Sequence, residues 1–285
     1  MPNVLEPMVF SQPDDKARIW HYMDFTKFIS MLENGSLFFS RADCLGDPFE
    51  GHYGGMNKLF LDNKKSMRPI VLLSKEEALS RLDEEHRTKA LEEERKTGKF
   101  PEITRFYDEE EQAQFDEERE QKWQLVEKLR KQMMISCWCL SDHESAALWK
   151  LYSKSDDCVA ITTLFGHLRK HLPDHLLVGK VNYVDLNSHF ISEADVHYPF
   201  MHKRISFEHE HELRIMFRQT PDENDFDTPA PEPGEWINPI NLETLIGAVL
   251  ISPSATAWFK ELVEKVVKRY KLDLTVRQSA LKQLY

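Results

Sequence analysis

The chain has 285 residues, of which 41% are hydrophobic, 11% aromatic and 30% charged, enough to bury roughly 75% of the surface its unfolded form exposes. A formal net charge of −11 argues against a non-specific nucleic-acid binder and against a protein drawn to anionic membrane. The four cysteines Cys44, Cys137, Cys139 and Cys158 show no secretory spacing and no paired CxxC knuckles, the first residues have no signal-peptide character, and no apolar run approaches a membrane span, so a reduced, cytoplasmic chain is expected.

Arg18 to Tyr22 reads as a first strand, followed by a helix that Asp24 or Thr26 caps and Asn34-Gly35 ends. Its apolar positions Phe25, Phe28, Ile29 and Leu32 share one face. Ser36 to Ser40 is a second short strand, and Arg41 to Gly51 a turn-rich loop in which Asp47-Pro48 and several glycines cluster. That loop is a candidate site wall or a plain connector.

Residues 75 to 131 hold 18 acidic and 13 basic side chains, interrupted at Pro101. Two long helices with thin apolar stripes, Leu79, Leu82 and Leu91 on the first and Trp123, Val126, Leu129 and Met133 on the second, predict a charged hairpin inserted into the domain. Most of its charge is solvated face, or else the hairpin docks a partner or a second copy. Strand character returns at Ile135 to Leu140, and Ser141 with Glu144 has capping-box spacing ahead of a helix reaching Tyr152. Trp149 and Tyr152, three apart, share a face of that helix and are either core or ligand-orienting aromatics. Strands follow at 159–162 and 178–184, with a short helix at 164–171 between them. The proline- and acid-rich stretch 221–235 reads as a loop, Leu245 to Ser252 as a buried strand, Thr256 to Tyr270 as an amphipathic helix, and Leu274 to Arg277 as the closing strand.

Residues 203 to 218, KRISFEHEHELRIMFR, carry the densest chemistry. Phe207, Leu213, Ile215 and Phe217 alternate with Glu208, Glu210, Glu212, Arg214 and Arg218, a period of two that predicts one strand with a charged row suited to a cleft or to open solvent. His209 and His211 fall on its apolar side, but no HExxH motif or Cys/His quartet completes a metal site. No metal is expected.

Trp20-His-Tyr, Phe39-Ser-Arg with Gly46-Asp-Pro-Phe-Glu-Gly51, Ser136-Cys-Trp-Cys with Leu148-Trp-Lys-Leu-Tyr152, and Phe207 to Arg214 resemble, in that order, the bacterial domain-of-unknown-function family 2971. The likeness spans the chain outside the hairpin, and it departs at Leu45-Gly46, where the family has Phe-Asn. A remoter similarity in element order is to ADP-ribosyltransferases, a split-sheet fold with an early histidine or arginine, a middle serine or tyrosine and a late glutamate. The resemblance implies an α+β domain over residues 1–285 with a central mixed or antiparallel split sheet flanked by helices, and the 75–131 hairpin inserted. It also implies an NAD-consuming transferase or glycohydrolase of a toxin or defence system. Glu212 and Glu210 would be catalytic, and His21, Tyr22, Arg41, Ser136, Trp149, Tyr152 and Arg214 would bind the nucleotide, with a protein acceptor or a second copy as partner. NAD would be a substrate, and an anion beside its ribose would stabilise an oxocarbenium-like transition state. The other readings are a non-catalytic nucleotide- or peptide-binding module and, least supported, a metal-dependent hydrolase using His209 and His211.

Overall fold

The computed structural model describes residues 10–62, 69–152, 156–219, 222, 225–237 and 240–284. It divides into two units, residues 1–54 with 125–285, and residues 55–124. The main unit opens with β1 (Arg18–Asp24), α1 (Phe25–Asn34) and β2 (Leu37–Arg41). Asp24 starts α1 by accepting a hydrogen bond from Lys27 N at 2.8 Å, and Gly35 ends it at φ 56°, where a side chain would be strained. Phe28, Met31 and Leu32 turn its buried face inward.

The second unit contains α2 (Gly55–Asp62), β3 (Ile70–Leu72), α3 (Lys75–Arg81), α4 (Glu84–Thr97) and β4 (Thr104–Phe106), and α5 (Glu109–Leu129) begins in it and ends in the main unit. The two long helices expected here are three, joined by an antiparallel ribbon that pairs Ile70 with Phe106. The first breaks at Leu82-Asp83, because Asp83 accepts from His86 N at 2.8 Å and so caps a new helix. A capping box of Ser74 and Glu77 starts α3, and Gly98 at φ 75° ends α4. Ion pairs such as Lys89–Glu85 are exposed and contribute about 0–1 kcal/mol each.

The rest of the main unit supplies β5 (Met133–Leu140), α6 (Ala146–Tyr152), β6 (Cys158–Leu164), α7 (Phe165–His171), β7 (Leu177–Lys180), β8 (Asn182–Val184), β9 (His202–Arg204) and β10 (Glu212–Arg218). β11 (Gly234–Ile237), α8 (Leu242–Leu245), β12 (Ala248–Ile251), α9 (Ala257–Arg269) and β13 (Val276–Gln278) complete it. The architecture is α+β, a central mixed sheet flanked by helices. Its order is β11-β2-β5-β1-β6-β12-β13, with β10 and then β7 branching from β5. Among the described residues only the β12–β13 pair in this sheet is parallel. β11 forms at the end of the stretch expected to be loop because Gly234 to Ile237 pairs with Ser40 to Leu37. The single strand expected over 178–184 is two: β7 pairs β10, and β8 pairs β9.

β5 organises the sheet. β10 runs along one edge, from Glu212 opposite Cys139 to Arg218 opposite Met133. Two strands share the other edge: β1 pairs Trp20 with Cys139, while β2 pairs Ser40 with Ile135. Between them the strands part, and His21 fills the gap, its Nδ1 lying 2.8 Å from Cys137 O. A carbonyl only accepts, so Nδ1 carries the proton. The ring also stacks on Trp138 at 5.1 Å.

Alternation along the strands sorts side chains between two faces. One face holds the larger core, with Ile19, Phe39, Trp138, Leu213, Ile215 and Val249 against α1 and α9 residues such as Phe28 and Phe259. The other holds two smaller clusters, Trp20, Tyr22, Leu148, Trp149 and Ala160, and Met133, Ile135, Phe200 and Met216. Each fully buried large apolar side chain contributes about 1.5–3 kcal/mol by transfer.

Candidate functional site

The candidate site is a buried charge cluster beside β10. The expected strand over 203–218 is three pieces: β9 ends at Arg204, a 3-10 turn runs from Ile205 to Glu210, and β10 begins at Glu212. The break falls at His211, which adopts a left-handed conformation at φ 43°. His209 and His211 are therefore exposed on a turn, not placed on the apolar face of a strand. Among the described residues no group of three or more His, Cys, Asp or Glu side chains could hold a metal.

The turn bends Glu210 back to face Glu212. Lys203 Nζ lies 2.7 Å from Glu210 Oε2, 3.3 Å from Glu212 Oε1 and 3.3 Å from Glu50 Oε1. Arg214 donates from Nε and Nη2 to Glu212 Oε2 at 2.9 and 2.7 Å, from Nη2 to Glu50 Oε1 at 2.9 Å, and from Nη1 to Phe200 O at 2.7 Å. Nη1 is also 2.8 Å from Glu50 Oε2. Arg214 is 0% exposed, Glu50 2%, Glu210 4%, Glu212 5% and Lys203 8%. Such burial is tolerable only because the charges pair and bond one another.

The two strand-side carboxyls are driven apart in proton affinity. Burial favours the neutral form of Glu212, but Arg214 and Lys203 outweigh it and hold the carboxyl down at about 2. Burial pushes Glu210 upward, opposed by its Lys203 hydrogen bond and helped by the Glu212 charge. Three carboxyls, Glu50, Glu210 and Glu212, thus face two cations, Lys203 and Arg214.

Aromatic side chains close the cluster. The Phe207 ring centroid is 4.7 Å from Lys203 Nζ, so the 3-10 turn roofs the central ammonium. The Tyr183 hydroxyl accepts from Glu212 N at 2.7 Å. From α6 comes Tyr152, 40% exposed. Burial raises its phenol, and Cys137, Glu210 and Glu212 raise it further, which puts it within electrostatic reach of the cluster.

The structure thus brings together Glu210, Glu212 and Arg214, leaves Tyr152 within electrostatic reach but without a contact to them, and separates the rest. Arg214 pairs across the sheet with Cys137, whereas Ser136 pairs with Ile215 and so points to the opposite face. There Ser136 is buried, its Oγ without a hydrogen-bond partner among the described residues. His21, stacked on Trp138, is on that same opposite face and serves the gap in the sheet. Arg41 pairs with Met134, also on that face. Its Nε and Nη2 reach Asp43 at 2.6 and 3.1 Å, and Nη1 donates to Ala230 O at 2.9 Å, tying β2 to the segment before β11. Tyr22 and Trp149 share the face of Glu212 but are core: their rings meet edge-on at 5.1 Å. The Tyr22 hydroxyl accepts from Ser145 N at 2.9 Å. Ser145, not Ser141, caps the first turn of α6, its Oγ accepting from Leu148 N at 3.3 Å. Glu144 is thereby released from a capping box and accepts from Trp149 Nε1 at 3.1 Å and Ala280 N at 2.8 Å.

Glu50 and Lys203 escaped the sequence reading as site residues. Both lie in stretches it singled out, the Gly46 to Gly51 turn and the start of 203–218, but nothing local marks either as Arg214's or Glu212's companion. No family model, no curated protein and no solved structure matches the chain. Among the described residues no helix is long and apolar enough to cross a membrane.

Proposed function

We propose that the protein is an enzyme whose chemistry is carried by the Glu210–Glu212 pair, that the reaction is cleavage of an N-glycosidic bond, and that NAD is the substrate to test first. The observation that supports this reading is the divergence of two neighbouring carboxyls, one held ionised and one with raised proton affinity, which is how acid–base sites divide labour. Glu212, kept anionic by Arg214 and Lys203, stabilises positive charge developing on the ribose. Glu210, in its carboxylate form, accepts the proton of the attacking water or acceptor hydroxyl as nicotinamide leaves neutral. Tyr152 borders the planar leaving group. At 4% and 5% exposure the carboxylates are reached only through a local opening, which this proposal places at the Phe207 turn. His21 and Ser136, on the other face of the sheet, take no part in this scheme.

One observation favours a second reading, a non-catalytic nucleotide- or peptide-binding module. All three nitrogens of Arg214 are engaged by Glu212, Glu50 and Phe200 O, as in a purely structural ion network. Incubating the purified chain with NAD decides between them. Nicotinamide release that falls at least about a hundredfold in Glu210→Gln, a typical share for acid–base catalysis, with the melting temperature retained, supports the enzyme. No release by the wild type, or release unchanged in Glu210→Gln, removes the pair from catalysis. NAD that raises the melting temperature without being consumed marks the binding module.

A further inference from the structure

Arg214 cannot meet a phosphate: it is fully buried with its donors engaged. A second guanidinium nearby is differently placed. Arg204, the residue after Lys203, is held by Asp47, with Nη2 to Oδ1 at 2.8 Å and Nε to Oδ2 at 3.1 Å. Asp47 is 5% exposed and also accepts from Phe49 N at 3.0 Å, so this fork is fixed in a formed turn. The Arg204 side chain nevertheless remains 39% exposed, and its Nη1 has no protein partner among the described residues. Two rings flank it: the guanidinium carbon is 4.7 Å from the Phe49 centroid and 5.2 Å from that of Phe207. Phe49 is 51% exposed, a large apolar ring left facing solvent. Phe207 is also the ring over Lys203, so this outer group adjoins the carboxylate cluster.

A guanidinium already oriented by a buried carboxylate loses little freedom on binding a second anion, and its outward N–H groups suit phosphate oxygens. An exposed aromatic ring beside it suits a planar heterocycle. We infer that Arg204 and Phe49 form a subsite for a phosphorylated, ring-bearing ligand, a nucleoside diphosphate, with the phosphates on the open edge of Arg204 and the base against Phe49. Asp47 balances the charge of Arg204 and the chain as a whole is acidic, so neither phosphate alone nor base alone suffices. The inference deepens the proposed reaction by naming the subsite that would hold the diphosphate and base of its substrate, and it rests on that reading for the chemistry but not for the binding.

Calorimetric titration of the full chain with ADP tests it, with adenosine and inorganic pyrophosphate as separate probes and two variants. Arg204→Lys keeps the charge and loses the fork. Phe49→Ala removes an exposed ring that nothing in the core depends on, and it carries the test alone if the other variant melts early. The expected result is saturable ADP binding, weaker by about tenfold in each variant, equivalent to about 1.4 kcal/mol, and weaker still for either half-ligand. No ADP binding, or equal affinity in wild type and Phe49→Ala, overturns the subsite. ADP binding with this variant pattern but without nicotinamide release keeps the subsite and removes the NAD reaction. Nicotinamide release with an unchanged KM in both variants keeps the reaction and removes the subsite.

Discussion

Arg214 clasps Glu212 from two positions down the same strand, Nε and Nη2 both reaching Oε2, at 2.9 and 2.7 Å. Residues i and i+2 of a strand project to one face, so the pair is set by local geometry alone. Glu50, brought from 164 residues away, completes it. Arg214→Met fills the space but leaves three buried carboxyls facing a single ammonium. Chemical denaturation is expected to show a loss of about 3–5 kcal/mol, and Arg214→Met with Glu50→Gln a smaller loss than the two single changes combined. Strict additivity, or a loss below about 1 kcal/mol as for surface pairs, contradicts a coupled network.

His21 makes the fold sensitive to mild acid. Burial pushes its imidazole down from 6.5 to about 4, against the hydrogen bond to Cys137 O. The unfolded chain therefore binds the proton more readily between those values, and stability rises with pH across that window. His21's contribution is complete above about pH 6.5 and is lost as pH falls toward 4. Urea midpoints measured from pH 4 to 7.5 are expected to drop on the acid side in the wild type. The slope should flatten in His21→Gln, whose amide can still donate to Cys137 O. An equal slope in both proteins assigns the acid sensitivity to another group.

His211 holds a backbone conformation that side chains resist. At φ 43° it links the 3-10 turn to β10, and its own side chain is exposed. His211→Gly removes the strain of about 1–2 kcal/mol at the cost of extra freedom in the unfolded chain, of about 0.5–1 kcal/mol. The expected outcome is a melting temperature unchanged or slightly raised, whereas His211→Val should lower it clearly. A destabilised glycine variant shows that the imidazole itself holds the turn.

What was legible in the sequence was what the chain settles locally. Asp24, Gly35 and the spacing of Phe28 and Leu32 mark α1 because caps and periodicity act within a few residues. The alternation of Leu213, Ile215 and Phe217 marks β10 for the same reason. Extending that alternation back to Glu210 misleads, because Glu210 obeys Lys203 rather than the pleat, and His211 reverses the chain to let it. Ser141 has the spacing of a cap, yet Tyr22 binds Ser145 N and the helix starts four residues later. His21 and Glu212 read as convergent because element order carries no information about which face a side chain takes. Ser136 is separated from Glu212 for the same reason. Deciding that takes the register of β5 against β1 and β10.

The ring of Phe207 over Lys203 has a practical use. A shielded primary amine reacts slowly with acylating reagents, while exposed lysines such as Lys89 on α4 react at once. Mass spectrometry after brief acylation therefore reads the opening of the surroundings of Lys203, the Phe207 turn and the carboxylates that hold its ammonium, with no engineered probe. A ligand that lifts the turn announces itself as label on Lys203.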